Sequence, residues 1–543
     1  MGVALFGLET EYAITGWAGN KVQSRSILAN ALIEAAHRRL ASLADLHSSG
    51  VYLQNGSRLY IDCGLHPELS TPECTNPWDA VRYVRAGDHI LEGLLAEVQA
   101  RGSDYSDIMC FRCNVDYGGT GATWGCHESY LHRADPQALA ARIIPHLVTR
   151  VVYSGAGGFN PMAPGLVFTL SPRVAHLVQV VSDNSTNARG IFHTKDEPLC
   201  GTGHHRLHIL TGESLCSDLA SFVRVGATAL VVAMIEAGLP VGEAVALGDP
   251  LRAIRTVAAD HTCQARLRLK CGGEATAIDL QRHYLEYAER HAGRDFMPPW
   301  AEDVCRHWRA TLDLLQNNLP EAVPVLDWPL KQALYRDHAR RRGIDWDSLA
   351  ASSEALTRLN SAEGMTEKVH TVEGLDRTLG LTAPASAIRK VSQYLSTQRL
   401  TWDAVRAVLS VRGEFLQIDT RFAQLGPKGI FHMLDASGVL RHRIAGVDNI
   451  PHAVENPPAS GRARLRGEAI RRFAAEREQW ACHWEEVVHR RDGRWLDLTD
   501  PFAEQERWQE AAVPAAGWHE APEFTRLPPG SRLARFLAGG LRF

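Results

Sequence analysis

The sequence predicts an α+β protein built on a large, mainly antiparallel sheet. Three observations carry that expectation. Strand and helix patterns alternate irregularly, without the even βαβ spacing of a doubly wound sheet. An Asn55-Gly56 step, a strong hairpin signal, joins strand-like runs at 51–53 and 57–62. Residues 276–345 read as helix almost throughout, with Arg and Glu on the polar faces.

Taken in order, residues 3–12 are expected as a strand followed by a Gly-rich turn. A helix is expected over 26–43, from the spacing of Ile27, Leu28, Ala31, Leu32 and Ala35. After the hairpin come a helix (77–100), strands at 108–114 and 127–131, and a helix at 136–146. A strand at 207–210 leads to a helix over 218–237, stopped by Gly238 and Pro240. Residues 349–412 read as additional helix with Ser, Thr and Gly breaks. A composition shift near 440 and the run Glu455-Asn-Pro-Pro458 mark a smaller C-terminal unit, and beyond Phe502 the chain turns Pro-, Gly- and Ala-rich.

The 543 residues carry 58 basic against 62 acidic side chains, a net charge of −4, so bulk electrostatics favour neither nucleic acid nor anionic membrane as partner. The longest uncharged apolar run, 225–235, falls short of the roughly 20 residues that span a bilayer. The N-terminus has no basic residue before its short apolar stretch and meets Glu9 and Glu11 at once, so no secretion signal is expected. Eleven scattered cysteines, an odd number, suggest free thiols in a reducing cytoplasm.

Chemistry concentrates in a few segments. In Gly7-Leu-Glu9-Thr-Glu11-Tyr, residues two apart share a strand face, so two carboxylates project side by side. Adjacent carboxylates need a cation, and a hard oxygen-seeking ion such as Mg2+ is the usual solution; an ordinary solvated strand face is the alternative. In Asn55-Gly-Ser-Arg58-Leu-Tyr60-Ile-Asp62, alternation places Arg58, Tyr60 and Asp62 on one face, and His66-Pro-Glu68 adds further ligands. The competing reading is a surface strand with an Arg58–Asp62 ion pair. The segment Trp124-Gly-Cys-His127-Glu128 sets His127 and Glu128 on opposite faces, while His204-His205-Arg206-Leu-His208 sets Arg206 and His208 on one. Four polar-faced strands suit an open sheet cradling a metal-bound nucleotide. Weaker signals are the glycines at 118, 119 and 121, the Cys110/Cys113 pair, and the arginines 462, 464 and 466, which could face solvent or offer cations to phosphate.

These motifs resemble one family. GLETEYA, NGSRLYIDCGLHPELSTPEC, GCHESYL, KDEP, RLHILTGES, the helix VGATALVVAMIEAG, PVLDWP and VENPPASGRARLRGEAIRRF occur in the order seen in the Pup ligase and depupylase family, relatives of the glutamine synthetase and carboxylate-amine ligase fold. The resemblance implies a catalytic glutamine synthetase-like domain over 1–437, carrying an extra helical insertion at about 349–410. A small domain closing on ATP would follow at 438–502, then an extension at 503–543. It implies ATP and Mg2+ as cofactors, with Glu9, Tyr60 and Glu68 as magnesium ligands, Glu11 as a further metal-site acid, and His208 on the metal side. Asp62 matches the catalytic base, Arg206 a phosphate-holding arginine, Arg58 and Thr71 nucleotide contacts, and Trp484 the tryptophan that stacks on adenine; His127 completes the metal and phosphate site.

The implied reaction is ATP-dependent activation of the C-terminal glutamate of a small Pup-like protein, followed by transfer to a lysine amine of a protein acceptor. Alternatives are a phosphotransferase or amide hydrolase acting on another peptide with the same site, or a catalytically silent binding paralogue. Only residues 13–54 separate the first strand from the NGSRLY strand, too few for the long loop of the depupylase branch, which favours ligation. The chain also departs from the family pattern: His193-Thr-Lys195-Asp-Glu-Pro-Leu199 stands where the family carries Asn-Thr-Arg-Asp-Glu-Pro-His.

Overall fold

The computed structural model describes residues 4–101, 106–118, 120–163, 165–182, 188–193, 197–201, 203–359 and 402–510. Part of the expected insertion, Lys195, and the extension beyond 510 lie outside the described residues.

Strands β1 (Phe6–Glu11), β2 (Ala13–Ala18), β3 (Lys21–Val22), β4 (Ser42–Asp45), β5 (Val51–Leu53), β6 (Arg58–Ile61), β7 (Pro67–Ser70), β8 (Ser106–Phe111) and β9 (Cys126–His132) come from the N-terminal quarter. Then follow β10 (Gly158–Phe159), β11 (Phe168–Thr169), β12 (Val181–Ser182), β13 (Phe192–His193), β14 (His205–Ile209), β15 (Leu267–Arg268) and β16 (Glu274–Ala275). The C-terminal strands are β17 (Trp480–Cys482), β18 (Glu486–His489), β19 (Trp495–Asp497) and β20 (Trp508–Gln509). Thirteen of them form one sheet in the order β12-β13-β14-β9-β1-β7-β6-β5-β4-β17-β18-β19-β20. Its pairs are antiparallel except β12/β13 and β4/β17. The fold is therefore the α+β class that the pattern predicts.

One face of this sheet is covered by helices and the other is open. In β1 the side chains of Phe6, Leu8 and Thr10 are buried, whereas Glu9 and Glu11 point the other way. In β9, Cys126, Glu128, Tyr130 and His132 are buried and His127 and Ser129 alternate with them. Period-two alternation thus sends apolar residues into the helical layer and polar ones to the open face. The covering core includes the helices Pro77–Arg101 and Asp218–Glu236. The latter is long and apolar enough to cross a membrane, but 89% of its apolar window is buried in this core.

Most expected elements appear within a few residues. The helix expected over 26–43 is Arg25–Arg39, capped by Ser24, and the chain then turns into β4. The helical period continues through Leu43, but pairing of β4 with β5 and burial of Leu43 in a separate core decide its conformation. That second core gathers Leu43, Tyr52, Leu465, Ile470, Trp480, Val487 and Leu496, so the C-terminal strands extend the main sheet around a cluster of their own. The hairpin at Asn55-Gly56 forms, with Gly56 at φ 82, a left-handed value that glycine adopts without strain.

Candidate functional site

Strand register lines the polar residues up in rows across the open face. Arg58, Ser70, Glu9 and His127 stand opposite one another on β6, β7, β1 and β9. The next row holds Tyr60, Glu68 and Glu11. From β14, His208 pairs with Ser129, whose hydroxyl lies 3.1 Å from His208 Nδ1. Donor atoms of Glu9, His127 and His208 fall within 4.8 Å of one another, and so do those of Glu11, Glu68 and His127 and those of Glu11, Asp62 and His66. The acids, imidazoles and phenol singled out from sequence are therefore brought together on neighbouring strands.

The cluster is electrostatically strained as a set of bare side chains. Burial, reinforced by Glu11 and Glu9, pushes the Glu68 carboxyl well above its ordinary value. Burial also raises Glu11, although Arg173 and the Gly125 N–H, 2.5 Å from Glu11 Oε2, oppose it. The Tyr60 phenol is raised by burial and by Glu68 and Glu9. His127 is held neutral by burial and by the neighbouring His208 and Arg173, which is the state in which an imidazole binds a cation. Hard carboxylate oxygens crowded on one buried row fit a divalent cation of the magnesium class.

Glu128 faces the opposite side, as the alternation requires. It is fully buried and held by Arg150 at 2.6 and 2.9 Å and by Tyr130 at 2.6 Å, a core ion pair with no part in the open face.

A cleft opens beside the first row, walled by Glu9, Ser70, Thr71, Glu73, Arg206, Arg462 and Trp484. Trp484 has the Arg466 guanidinium over its ring at 4.6 Å. Thr71 spends its hydroxyl on the Leu8 N–H (3.1 Å), pinning β1 to β7 at the cleft floor. Arg58 is held by Asp45 at 2.7 Å and by Ser48 at 3.1 Å, and lies 4.1 Å over the Tyr60 ring. Its ion-pair partner is thus Asp45, contributed by β4, and not Asp62. Asp62 sits in the tight turn between β6 and β7, where its carboxylate accepts the His66 backbone N–H at 2.6 Å.

The remaining signals resolve into structure. The arginine series does not form a solvated face: Arg462 and Arg466 are buried and converge on Glu73, while Arg464 pairs with Glu468 and Glu504. Burial alone would raise the Glu73 carboxyl, but Arg466 and Arg462 hold it down to about 2. Asp116 accepts the N–H groups of Gly118 (2.8 Å) and Thr120 (3.1 Å), which closes the Gly-rich turn on itself. Burial pushes the Cys113 thiol up to about 12, and no candidate cation cluster among the described residues contains a cysteine.

Sequence reasoning missed Asp45, the Arg462–Glu73–Arg466 clasp and Arg173. Arg173 is buried, and a Cβ on Gly125 would stand 2.9 Å from its Nη2 and 2.7 Å from His127 Nε2. Glu73 and the arginines that hold it are separated by 389 and 393 positions, so no local pattern joins them.

Comparison with known proteins identifies the family. The model of the Pup-ligase protein family matches residues 4–389 and 391–488. The Pup–protein ligase of Sanguibacter keddieii is 35% identical over 426 residues, 76% of this chain and 89% of that protein. That of Kribbella flavida is 30% identical over 519 residues, 94% of this chain and 98% of its own length. Among solved structures, the Pup ligase PafA in complex with ADP superposes with a TM-score of 0.64 at 25% identity, covering 90% of this chain and 92% of that one. The complex between the ubiquitin-like protein Pup and its ligase PafA superposes with a TM-score of 0.70 at 24% identity, covering 92% and 90%. The chain belongs to the Pup ligase family.

Proposed function

We propose that this chain joins the C-terminal glutamate of Pup to lysine side chains of acceptor proteins at the cost of ATP. The observation that carries the reading is the carboxylate cluster of Glu9, Glu11 and Glu68, from two adjacent rows, lying between two different features: the cleft with Trp484 and Arg206 on the Glu9 side, and Asp62 on the Glu11 side. ATP belongs in the cleft, its adenine against Trp484 and its phosphates toward Arg206 and the carboxylates. Thr71 and Arg58 act there by shaping β7 and β6.

Glu9, Glu11 and Glu68 would hold Mg2+, with Tyr60, His127 and His208 at the margins. A magnesium ion held by these residues would supply charge neutralisation for the phosphates and the transferred group. A glutamate carboxylate oxygen of Pup attacks the γ-phosphorus, and ADP leaves. Arg206 steadies the transferred phosphoryl oxygens. The lysine amine gives a proton to Asp62 and attacks the acyl carbon; the C–N bond forms and the C–O bond to phosphate breaks. Residues 13–54 are occupied by β2, β3, the helix Arg25–Arg39, β4 and β5, which supports ligation over depupylation. We assign the nucleotide-facing Trp484 to a small C-terminal unit spanning 438–502, and place the reaction in the cytoplasm, where ATP is available.

Incubation with ATP, Mg2+, Pup ending in glutamate and a lysine-bearing acceptor tests the reading. A conjugate lighter by one water than its two parts, formed with ADP and phosphate, is expected. A stable phosphorylated product without conjugate identifies a phosphotransferase, and failure to bind ATP overturns the enzyme reading altogether.

A further inference from the structure

The turn that carries Asp62 contains a hydrogen-bonded series that the reaction above does not use. Asp62 Oδ1 accepts the backbone N–H of His66 at 2.6 Å, and Asp62 Oδ2 lies 3.2 Å from His66 Nδ1. On the other side of the ring, His66 Nε2 lies 3.0 Å from an amino nitrogen of Arg25. His66 is buried, its ring 5.3 Å from that of Trp124.

Donor and acceptor roles follow from the partners. A guanidinium only donates, so His66 Nε2 accepts, and a neutral imidazole that accepts at Nε2 carries its proton on Nδ1. That proton points at Asp62 Oδ2. Asp62 then receives one donor on each oxygen, which fixes the plane of its carboxyl group. The backbone is built for this closeness. A Cβ on Gly64 would stand 2.5 Å from His66 Cε1 and 3.1 Å from Asp62 Oδ2, and Leu65 takes a left-handed φ of 62 to close the turn.

We propose that Arg25 and His66 are positioning residues that fix the orientation of Asp62, and so aim its carboxyl oxygens at the incoming amine. Arg25 fixes the tautomer of His66, and His66 fixes Asp62. The same roles remove His66 from the cation site. Glu11, Asp62 and His66 are close enough to share an ion. Yet one ring nitrogen holds a proton and the other accepts from Arg25, so His66 has no lone pair to offer. The Asp62 corner is thereby a proton-accepting station beside the Glu11–Glu68 row instead of a further cation site. A turn in which Asp62 merely caps the His66 N–H would need no donor on the far side of the ring. Arg25 also lines, with Trp124, a broad cleft.

This inference rests on the reading of Asp62 as the base for lysine attack, and the test separates the two. The purified full chain is supplied with ATP, Mg2+ and a Pup C-terminal peptide ending in glutamate, with either a lysine-bearing acceptor or hydroxylamine as nucleophile. Hydroxylamine attacks an acyl phosphate without a base. Arg25→Met and His66→Ala are expected to lower kcat for lysine transfer by about tenfold to a hundredfold, less than the roughly 10²–10⁴-fold of losing the base outright, because Asp62 itself remains. Their hydroxamate formation should stay within about twofold of wild type, and Arg25→Lys, which keeps a donor, should recover most lysine transfer. Selectively labelled His66 should show the Nδ1–H tautomer by nitrogen NMR in the wild type, and the retained hydroxamate formation guards against variants that only unfold. An Nε2–H tautomer in the wild type, or equal loss of both products in Arg25→Met, overturns the positioning role. Wild-type protein that forms no hydroxamate overturns the acyl-transfer reading instead.

Discussion

The Arg466 guanidinium lies 4.6 Å over the Trp484 ring while the same group grips the buried Glu73. One side chain thus couples the cleft wall on the C-terminal strands to the end of β7. Removing it leaves a buried carboxylate with Arg462 as its remaining partner, a change that typically costs about 3–5 kcal/mol. Arg466→Met is expected to lower the thermal midpoint and weaken ADP binding together. Trp484→Ala should weaken ADP binding without a comparable loss of stability, measured by calorimetry and titration on both variants.

Asp62 stands apart from the cleft walled by Trp484 and Arg206, so its proposed role should be separable from nucleotide binding. Asp62→Asn is expected to abolish conjugation to lysine while leaving ATP affinity within about twofold; loss of a general base usually costs 10²–10⁴-fold in rate. Full conjugation by this variant would refute the base assignment.

Burial and its carboxylate neighbours raise Glu68, so in the cation-free protein the row is a source of repulsion. Glu68→Gln should raise the thermal midpoint measured in a chelator. It should also shrink the added stabilisation by Mg2+, because binding to the folded state is what supplies that increment. An unchanged Mg2+ response would move the cation away from this row.

Glu73 predicts the acid limb of stability. Its carboxyl is held down to about 2 in the folded protein, below its ordinary value, with Arg466 and Arg462 opposing the effect of burial. A depressed carboxyl contributes stability that is fully present above the unfolded value and lost as pH falls through the folded one. The magnitude is about 3 kcal/mol, released between about pH 5 and pH 2. Urea unfolding across that window should show the loss, and Glu73→Gln should flatten it.

Gly125 has no room for a side chain. A Cβ there would stand 2.7 Å from His127 Nε2 and 2.9 Å from Arg173 Nη2, so Gly125→Ala should displace the imidazole from the cation row. We expect at least a tenfold rise in the Mg2+ concentration needed for half-maximal ADP formation, with a stability loss of about 1–3 kcal/mol, as for other overpacked sites. An unaltered Mg2+ requirement would show that His127 is not involved.

Much of the site is legible residue by residue. Period-two alternation in β1, β6 and β9 already places Glu9 with Glu11, Arg58 with Tyr60, and His127 opposite Glu128 in facing, because a strand's geometry is local. The Asn55-Gly56 hairpin and the long apolar helix Asp218–Glu236 are legible for the same reason. The helix expected through Leu43 is not, since its end is decided by pairing with β5 and by a core assembled from residues beyond 460.

Local pattern therefore establishes the class of fold, the polar faces of the strands and the kind of chemistry they suit. It does not establish who pairs with whom. Arg58 meets Asp45 instead of Asp62 because β4 lies beside β5, and Arg462 and Arg466 meet Glu73 because the C-terminal strands close against β4. The convergence of Glu9, Glu11, Glu68, His127 and His208 depends on register among β7, β1, β9 and β14. Register is a property of the assembled sheet: it is selected by the burial of Phe6, Leu8 and Tyr130 on the covered face, and only that packing brings distant charges within reach of one another.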